Sequence, residues 1–257
     1  MTQQLTLVRI LDEDPDLGGD LGEDEFEQAS RVAVAPLERL ERGVWDPSDA
    51  PRRPGDFGLL VLEGLLARRV SIGERTCAEI LGPGDVLRPW VRATREVTVQ
   101  SEVNWSVIVE AQLARLDGSF VQRLTRWPEI IAEIGNRVML RAHWLAFHLA
   151  VCHMRRVDER LLIVLWHFAD RWGKVTPDGV VLPLPFTHRL LASVIGAQRA
   201  SVSTAVSQLV RQGVVTRLPD RGWLLRGRPP TGLHEIYQAV GGADRAPEPL
   251  EPEPEAA

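Results

Sequence analysis

The residues best suited to chemistry lie in one stretch, "THRLLASVIGAQRASVSTAVSQLVRQGVV", residues 187–215. Gln198, Arg199, Ser201, Ser203 and Thr204 are short or hydrogen-bonding side chains with a single long cation among them. That set suits recognition, not bond breaking. An arginine can grip the O6 and N7 of guanine with two parallel bonds, and a helix N-terminus favours a nearby phosphate. No nucleophile–base pair, phosphate-cradling glycine loop or metalloprotease motif occurs in the chain, so no enzymatic activity is expected.

Two helices must position these residues. Thr187 is a suitable N-cap for a first helix, 187–195, in which Leu191 and Ile195 share a face. Gly196 ends it, since glycine accepts the left-handed conformation that helix ends often need. A second helix, 198–212, then buries Val202, Ala205, Val206 and Leu209 at i, i+3, i+4 and i+7. Arg199, Ala200, Ser203, Thr204 and Ser207 are left on the opposite face. Two helices joined by about three residues containing glycine make a helix-turn-helix pattern. The outer face stays small and polar because bulk there would block entry into a major groove. Before it come a helix in "VDERLLIVLWHFADRWG" and a turn at Pro177-Asp178-Gly179. After it, "VVTRLPDRGWLL" reads as two short strands around residues 219–222.

The charge distribution agrees. The 257-residue chain has net charge −5, yet residues 155–228 hold twelve Lys and Arg against five Asp and Glu. A basic segment between two acidic ones points to a local site for a polyanion. No run of 18 apolar residues occurs, so no membrane span is expected, and the acidic start lacks a signal-peptide layout. The reading is cytoplasmic. Cys77 and Cys152 are too few and too far apart for a disulfide framework or an iron–sulfur cluster.

Residues 10–31 are acidic with weak helical content. From residue 32 to about 109, short apolar runs alternate with turn signals at Gly55-Asp56, Glu63-Gly64, Gly73-Glu74 and Pro83-Gly84-Asp85. This spacing predicts an antiparallel β-sandwich or barrel. A long helix follows Pro128. Ile131, Val138, Leu145 and Cys152 recur every seven residues, with Gly135, Ala142 and Leu149 four further on, which forms an a/d seam. The protein's own domain or a second copy could cover it, and the small Gly135 and Ala142 favour a second copy. In the same helix His143, His148, Cys152 and His153 could hold haem or a metal, but the bland alternative is seam packing with partly exposed histidines, and no metal or cofactor is expected. The tail, 229–257, is Pro- and Glu-rich and reads as disordered.

On "DERLLIVLWHFADRWG", "LPLPFTHRLLASVIGAQRASVSTAVSQLVRQGVV" and the two strands after it, residues 157–228 resemble the winged helix-turn-helix domain of the Crp/Fnr family of bacterial transcription regulators. "GDFGLLVLEGLLARRVSIGERTCAEILGPGDVL" resembles that family's cyclic-nucleotide-binding-type β-roll. The resemblance implies an α+β chain divided into a jelly-roll-like antiparallel β-roll sensor domain (1–126), a dimerisation helix (127–156), a winged helix-turn-helix (157–228) and a tail (229–257). It implies a homodimer that reads paired half-sites of double-stranded DNA through helix 198–212. RNA polymerase is a further candidate partner, and an effector of the roll is left open. Thr187 and His188 match positions near backbone phosphates, and Arg199 matches a base-reading arginine. Ala200 and Thr204 depart from residues common in the family, so its best-known target sequence does not transfer. "GPGDVLRPWVRATREVTVQ" lacks the family's Gly-Glu pair and carries Pro89 where a short helix is expected. Cyclic-nucleotide binding is therefore not expected, and Arg88, Arg92 and Arg95 read as a solvated edge. The alternative is a ligand- or metal-responsive sensor module whose helix-turn-helix mainly contacts protein.

Overall fold

The computed structural model describes residues 6–47, 55–90 and 99–229. The chain divides into two compact units, Met1–Leu149 and Ala150–Ala257.

The first unit is organised by two long strands, β4 (Gly58–Ile72) and β7 (Glu102–Leu116), paired antiparallel along their length. With β1 (Leu7–Arg9), β2 (Val34–Leu40) and β5 (Arg75–Leu81) the order is β1-β2-β7-β4-β5. In addition β3 (Gly43–Trp45) pairs with β7 and β6 (Val86–Leu87) with β4. Every pair is antiparallel. Side chains alternate between two cores, as the pleat requires. Leu59, Val61, Leu87, Val107 and Leu113 join Trp45 and Trp105 in one cluster. Leu60, Val86, Ala114 and Leu116 join the helices in the other.

Two sequence expectations change here. Glu63-Gly64 is not a turn. It lies within β4, where the register against β7 shifts. Gly64 has φ +91°, and a Cβ there would fall 2.1 Å from the Glu110 carbonyl oxygen, so this is a bulge that needs glycine. The Ile72–Arg75 hairpin, with Gly73 at φ +57°, is a turn as expected. The acidic start is more ordered than its composition suggests. It forms α1 (Ile10–Glu13), a 3-10 turn (Pro15–Gly18) and α2 (Glu23–Val32). Ile10, Leu11, Leu17, Ala29 and Ala33 are buried in the helix-side core, beside Phe120 of the short α3 (Gly118–Arg123).

The long helix, α4, runs from Pro128 to His153. Ile130 and Ile134 are buried in the first unit's core, and Ile131 and Val138 pack against its edge. The upper part of the seam is open: Ala142, Leu145 and Leu149 are exposed, as is Met139. The predicted seam is thus split between the chain's own core and solvent.

The second unit holds α5 (Val157–Trp172), the hairpin β8 (Lys174–Thr176) and β9 (Gly179–Leu182), α6 (His188–Val194), α7 (Arg199–Arg211), and the hairpin β10 (Val215–Arg217) and β11 (Trp223–Leu225). The strands form one antiparallel sheet in the order β10-β11-β9-β8. α7 packs on α5 and α6. Phe168 and Phe186, with ring centroids 5.0 Å apart, and Trp223 lie buried in its core.

Candidate nucleic-acid interface

Local chemistry sets the entry of each helix. The Thr187 hydroxyl oxygen accepts a bond from the Leu190 amide at 3.1 Å, which closes the first turn of α6. Gly196 has φ +63°, and the Ala197 amide donates back to Ala192 at 2.9 Å. That left-handed residue satisfies an orphan carbonyl and redirects the chain within a few residues. Gln198 occupies the N-cap position of α7 without a side-chain capping bond, so its exposed amide keeps its hydrogen-bonding capacity.

α7 buries Val202, Ala205, Val206 and Leu209, the predicted stripe. Opposite it, Ala200, Thr204, Ser207 and Arg211 are exposed, with Ser203 half-buried and Arg199 exposed on one flank. Ser201 lies on the other flank, half-buried like Ser203. The hydroxyls of Ser203, Thr204 and Ser207 each donate to the carbonyl four residues back, at 3.1, 3.2 and 3.0 Å. Folding them onto the helix keeps the face low and turns their oxygens outward as acceptors.

On the Arg199 flank the structure assembles a cationic group that sequence reasoning recognised only in part. His188 Nδ1 lies 2.9 Å from Ser203 Oγ. Burial pushes the His188 ring below the ordinary imidazole pKa, and the charges of Arg217 and Arg199 push it the same way. The Arg217 guanidinium sits 4.1 Å over the Trp223 ring and donates to the carbonyls of Phe186 and Arg221 at 3.2 and 3.4 Å. Burial and then the Arg221 charge lower its pKa. Arg221 itself has φ +68° in the turn between β10 and β11, rare for a residue with a side chain. The turn is held by the Gly222 amide on Asp220 Oδ1 at 3.0 Å. Arg217 and Arg221 were missed as site residues. The run "RLPDRG" was a signal for them, because a Pro-Asp turn flanked by arginines displays both cations at one tip.

Among the described residues, Arg199, Arg211, Arg217 and Arg221 have no carboxylate within ion-pair distance. Elsewhere in the second unit Arg156 pairs with Asp158 and Glu159 at the start of α5. The surface around α7 is therefore positive without internal neutralisation.

The other candidates gather nothing comparable. Cys152 Sγ donates to the Val194 carbonyl at 3.8 Å, His143 and His153 are exposed, and His148 is half-buried. Among the described residues no three His, Cys, Asp or Glu are grouped as a metal site would need. Arg88 is exposed, while Arg92 and Arg95, like the tail beyond residue 229, lie outside the described residues. Among those residues no helix is long and apolar enough to cross a membrane.

A helix-turn-helix followed by a two-stranded wing defines the class of the second unit. Residues 159–229 match the Crp-like helix-turn-helix domain. One relative, named as the HTH-type transcriptional regulator ycf28 of Porphyra purpurea, is 22% identical over 101 residues. That match spans 39% of this chain and 43% of the relative's length. Solved structures share the fold of nearly the whole chain. A CooA mutant from Carboxydothermus hydrogenoformans has a TM-score of 0.61 at 16% identity, over 92% of this chain and 98% of its own. A cyclic nucleotide-binding domain containing protein from Listeria monocytogenes has a TM-score of 0.59 at 14% identity, over 82% and 96%. A CRP/FNR family transcriptional regulator from Thermus thermophilus has a TM-score of 0.51 at 17% identity, over 79% and 97%. The chain thus has the α+β architecture of the Crp/Fnr type, an antiparallel β unit followed by a Crp-like helix-turn-helix domain.

Proposed function

We propose that this protein is a DNA-binding transcription regulator that acts as a homodimer and reads paired half-sites through α7. The observation that carries the reading is the outer face of α7. Its small side chains and back-bonded hydroxyls are bordered by Arg199, Arg211, Arg217 and Arg221, which have no carboxylate partners among the described residues. Such a face fits a major groove and attracts its phosphates. Gln198, Arg199, Ser203 and Thr204 are the candidate contacts to base edges, with Ser201 at the margin. Thr187 and His188 are the candidate phosphate contacts, joined by the wing arginines. The dimer would form along α4, whose exposed Ala142, Leu145 and Leu149 continue the seven-residue seam. Two recognition helices would then engage half-sites roughly 34 Å apart.

The test is competition binding of wild type and Arg199→Ala against duplexes randomised one position at a time, at fixed salt. Removing a bidentate arginine–guanine pair should relax preference at one base pair in each half-site, by about 1–3 kcal/mol. A uniform loss across all sequences would make Arg199 a backbone contact. No salt-dependent duplex binding at all would overturn the reading.

A further inference from the structure

His188 occupies an unusual position for a histidine. Its Nδ1 lies 2.9 Å from Ser203 Oγ, and that hydroxyl spends its one hydrogen on the Arg199 carbonyl at 3.1 Å. With that hydrogen on the carbonyl, the neutral ring donates from Nδ1 and presents Nε2 as an acceptor. The groups that face the ring are Ser203 and Arg199 from α7 and Arg217 from β10. On its own segment the neighbours are Thr187 and Arg189, both exposed. The charges acting on the ring are all positive. Arg217 cannot swing away easily, because it is stacked on Trp223 and bonded to two carbonyls. In the free protein burial and these neighbouring cations thus disfavour the protonated ring, and Arg217 is held in place beside it.

A phosphodiester arriving at this spot reverses the local balance. It brings a negative charge and an oxygen that accepts hydrogen bonds, and it meets Nε2, which has no proton to offer. Resting on the DNA-binding reading above, we propose that His188 and Arg217, beside the base-reading Arg199, form a phosphate site that takes up a proton on His188 Nε2 when DNA binds, so that affinity rises as pH falls. The proton comes from solvent and no bond other than Nε2–H forms. The direction in the free protein, burial and two arginines holding the ring below its ordinary pKa, agrees with the placement of these groups. By linkage, affinity changes by at most about tenfold per pH unit per protomer, between the ring's pKa in the free and in the bound protein.

The experiment measures binding of the full chain to a mixed-sequence DNA duplex at low, fixed salt from pH 5.5 to 8, as wild type and as His188→Gln. A mixed sequence suffices because phosphate contacts do not depend on base identity. Wild-type affinity should rise by about three- to tenfold per protomer from high to low pH, and His188→Gln should be flat to within about twofold. Calorimetry of the wild type in two buffers of different ionisation enthalpy should find net proton uptake. Carbon-edited NMR of the imidazole Cε1–H should find the His188 midpoint higher with duplex than without. That last measurement needs no variant, so misfolding of His188→Gln leaves it standing. Equal pH slopes in the two proteins, no proton uptake, or a midpoint unmoved by duplex would overturn the proposal while leaving DNA binding intact. Absence of duplex binding at every pH would overturn the DNA-binding reading and this inference with it.

Discussion

In the first unit Arg115, with 2% of its side chain exposed, bonds Glu38 at 2.6 Å and Asp56 at 2.7 Å. In the second, Arg217 lies on the Trp223 ring and bonds carbonyls. The contrast extends further. Arg137 is paired with Asp14, and Arg141 grips Glu79 with bonds of 2.6 and 2.8 Å, whereas Arg199 and Arg221 face solvent. The same residue type knits the first unit together and, around α7, leaves an uncancelled field. Internal pairing removes a charge from the surface potential, while stacking and carbonyl bonding fix a guanidinium in place and keep its charge available. Arg115, Arg137 and Arg141 thus serve as structure in the first unit, whereas the arginines around α7 keep their charge at the surface.

The contrast is broken most directly at Arg115. Arg115→Ala removes the guanidinium paired with Asp56, whose side chain is fully buried, and should cost about 3–5 kcal/mol of stability. Chemical denaturation followed by tryptophan fluorescence measures this, and a loss below about 1 kcal/mol would mean that the ion pair is expendable. The next effect concerns the seam. Leu145 is exposed in the single chain, so Leu145→Asp should leave the fold intact yet cost at least about 2 kcal/mol of association. Sedimentation should then find monomers. Val138 is a poorer probe, because it packs against the first unit's core and a charge there would disturb folding as well.

Arg199→Ala sharpens the comparison from the opposite side. Its effect on unfolding should stay within about 0.5 kcal/mol, because the side chain is exposed and has no carboxylate partner among the described residues. Thr187→Ala should remove the α6 cap and lower the second unit's stability by about 1 kcal/mol, read from thermal melts. The smallest expected effect is a pH trend. The folded His188 pKa lies below its unfolded value of 6.5, so the unfolded chain binds more protons in that range. Stability should therefore be full above pH 6.5 and decline as pH falls through the folded pKa. Melts of wild type and His188→Gln across this window should diverge only on the acid side.

The sequence alone determined the helix-turn-helix and its buried stripe, the hairpin at Gly73, the long helix from Pro128 and the antiparallel character of the first unit. These signals are local. A threonine caps the helix it begins, a glycine accommodates the positive φ of its own residue, and apolar spacing of three and four declares a face within one helix. Tertiary structure decided the rest. Gly64 was misread as a turn because only the pairing of β4 with β7 reveals that the Glu110 carbonyl occupies the space of its Cβ. The acidic start was read as weakly helical because its few apolar residues gain their stability from a core contributed by β4, β7 and α4. The seam was read as one surface, and only packing showed which half its own unit already covers. Arg115 meets Glu38 across 77 residues, and His188 meets Ser203 across 15. Neither pairing has a periodicity to announce it, because such contacts are set by how helices and strands stack and not by the order of residues within any one of them.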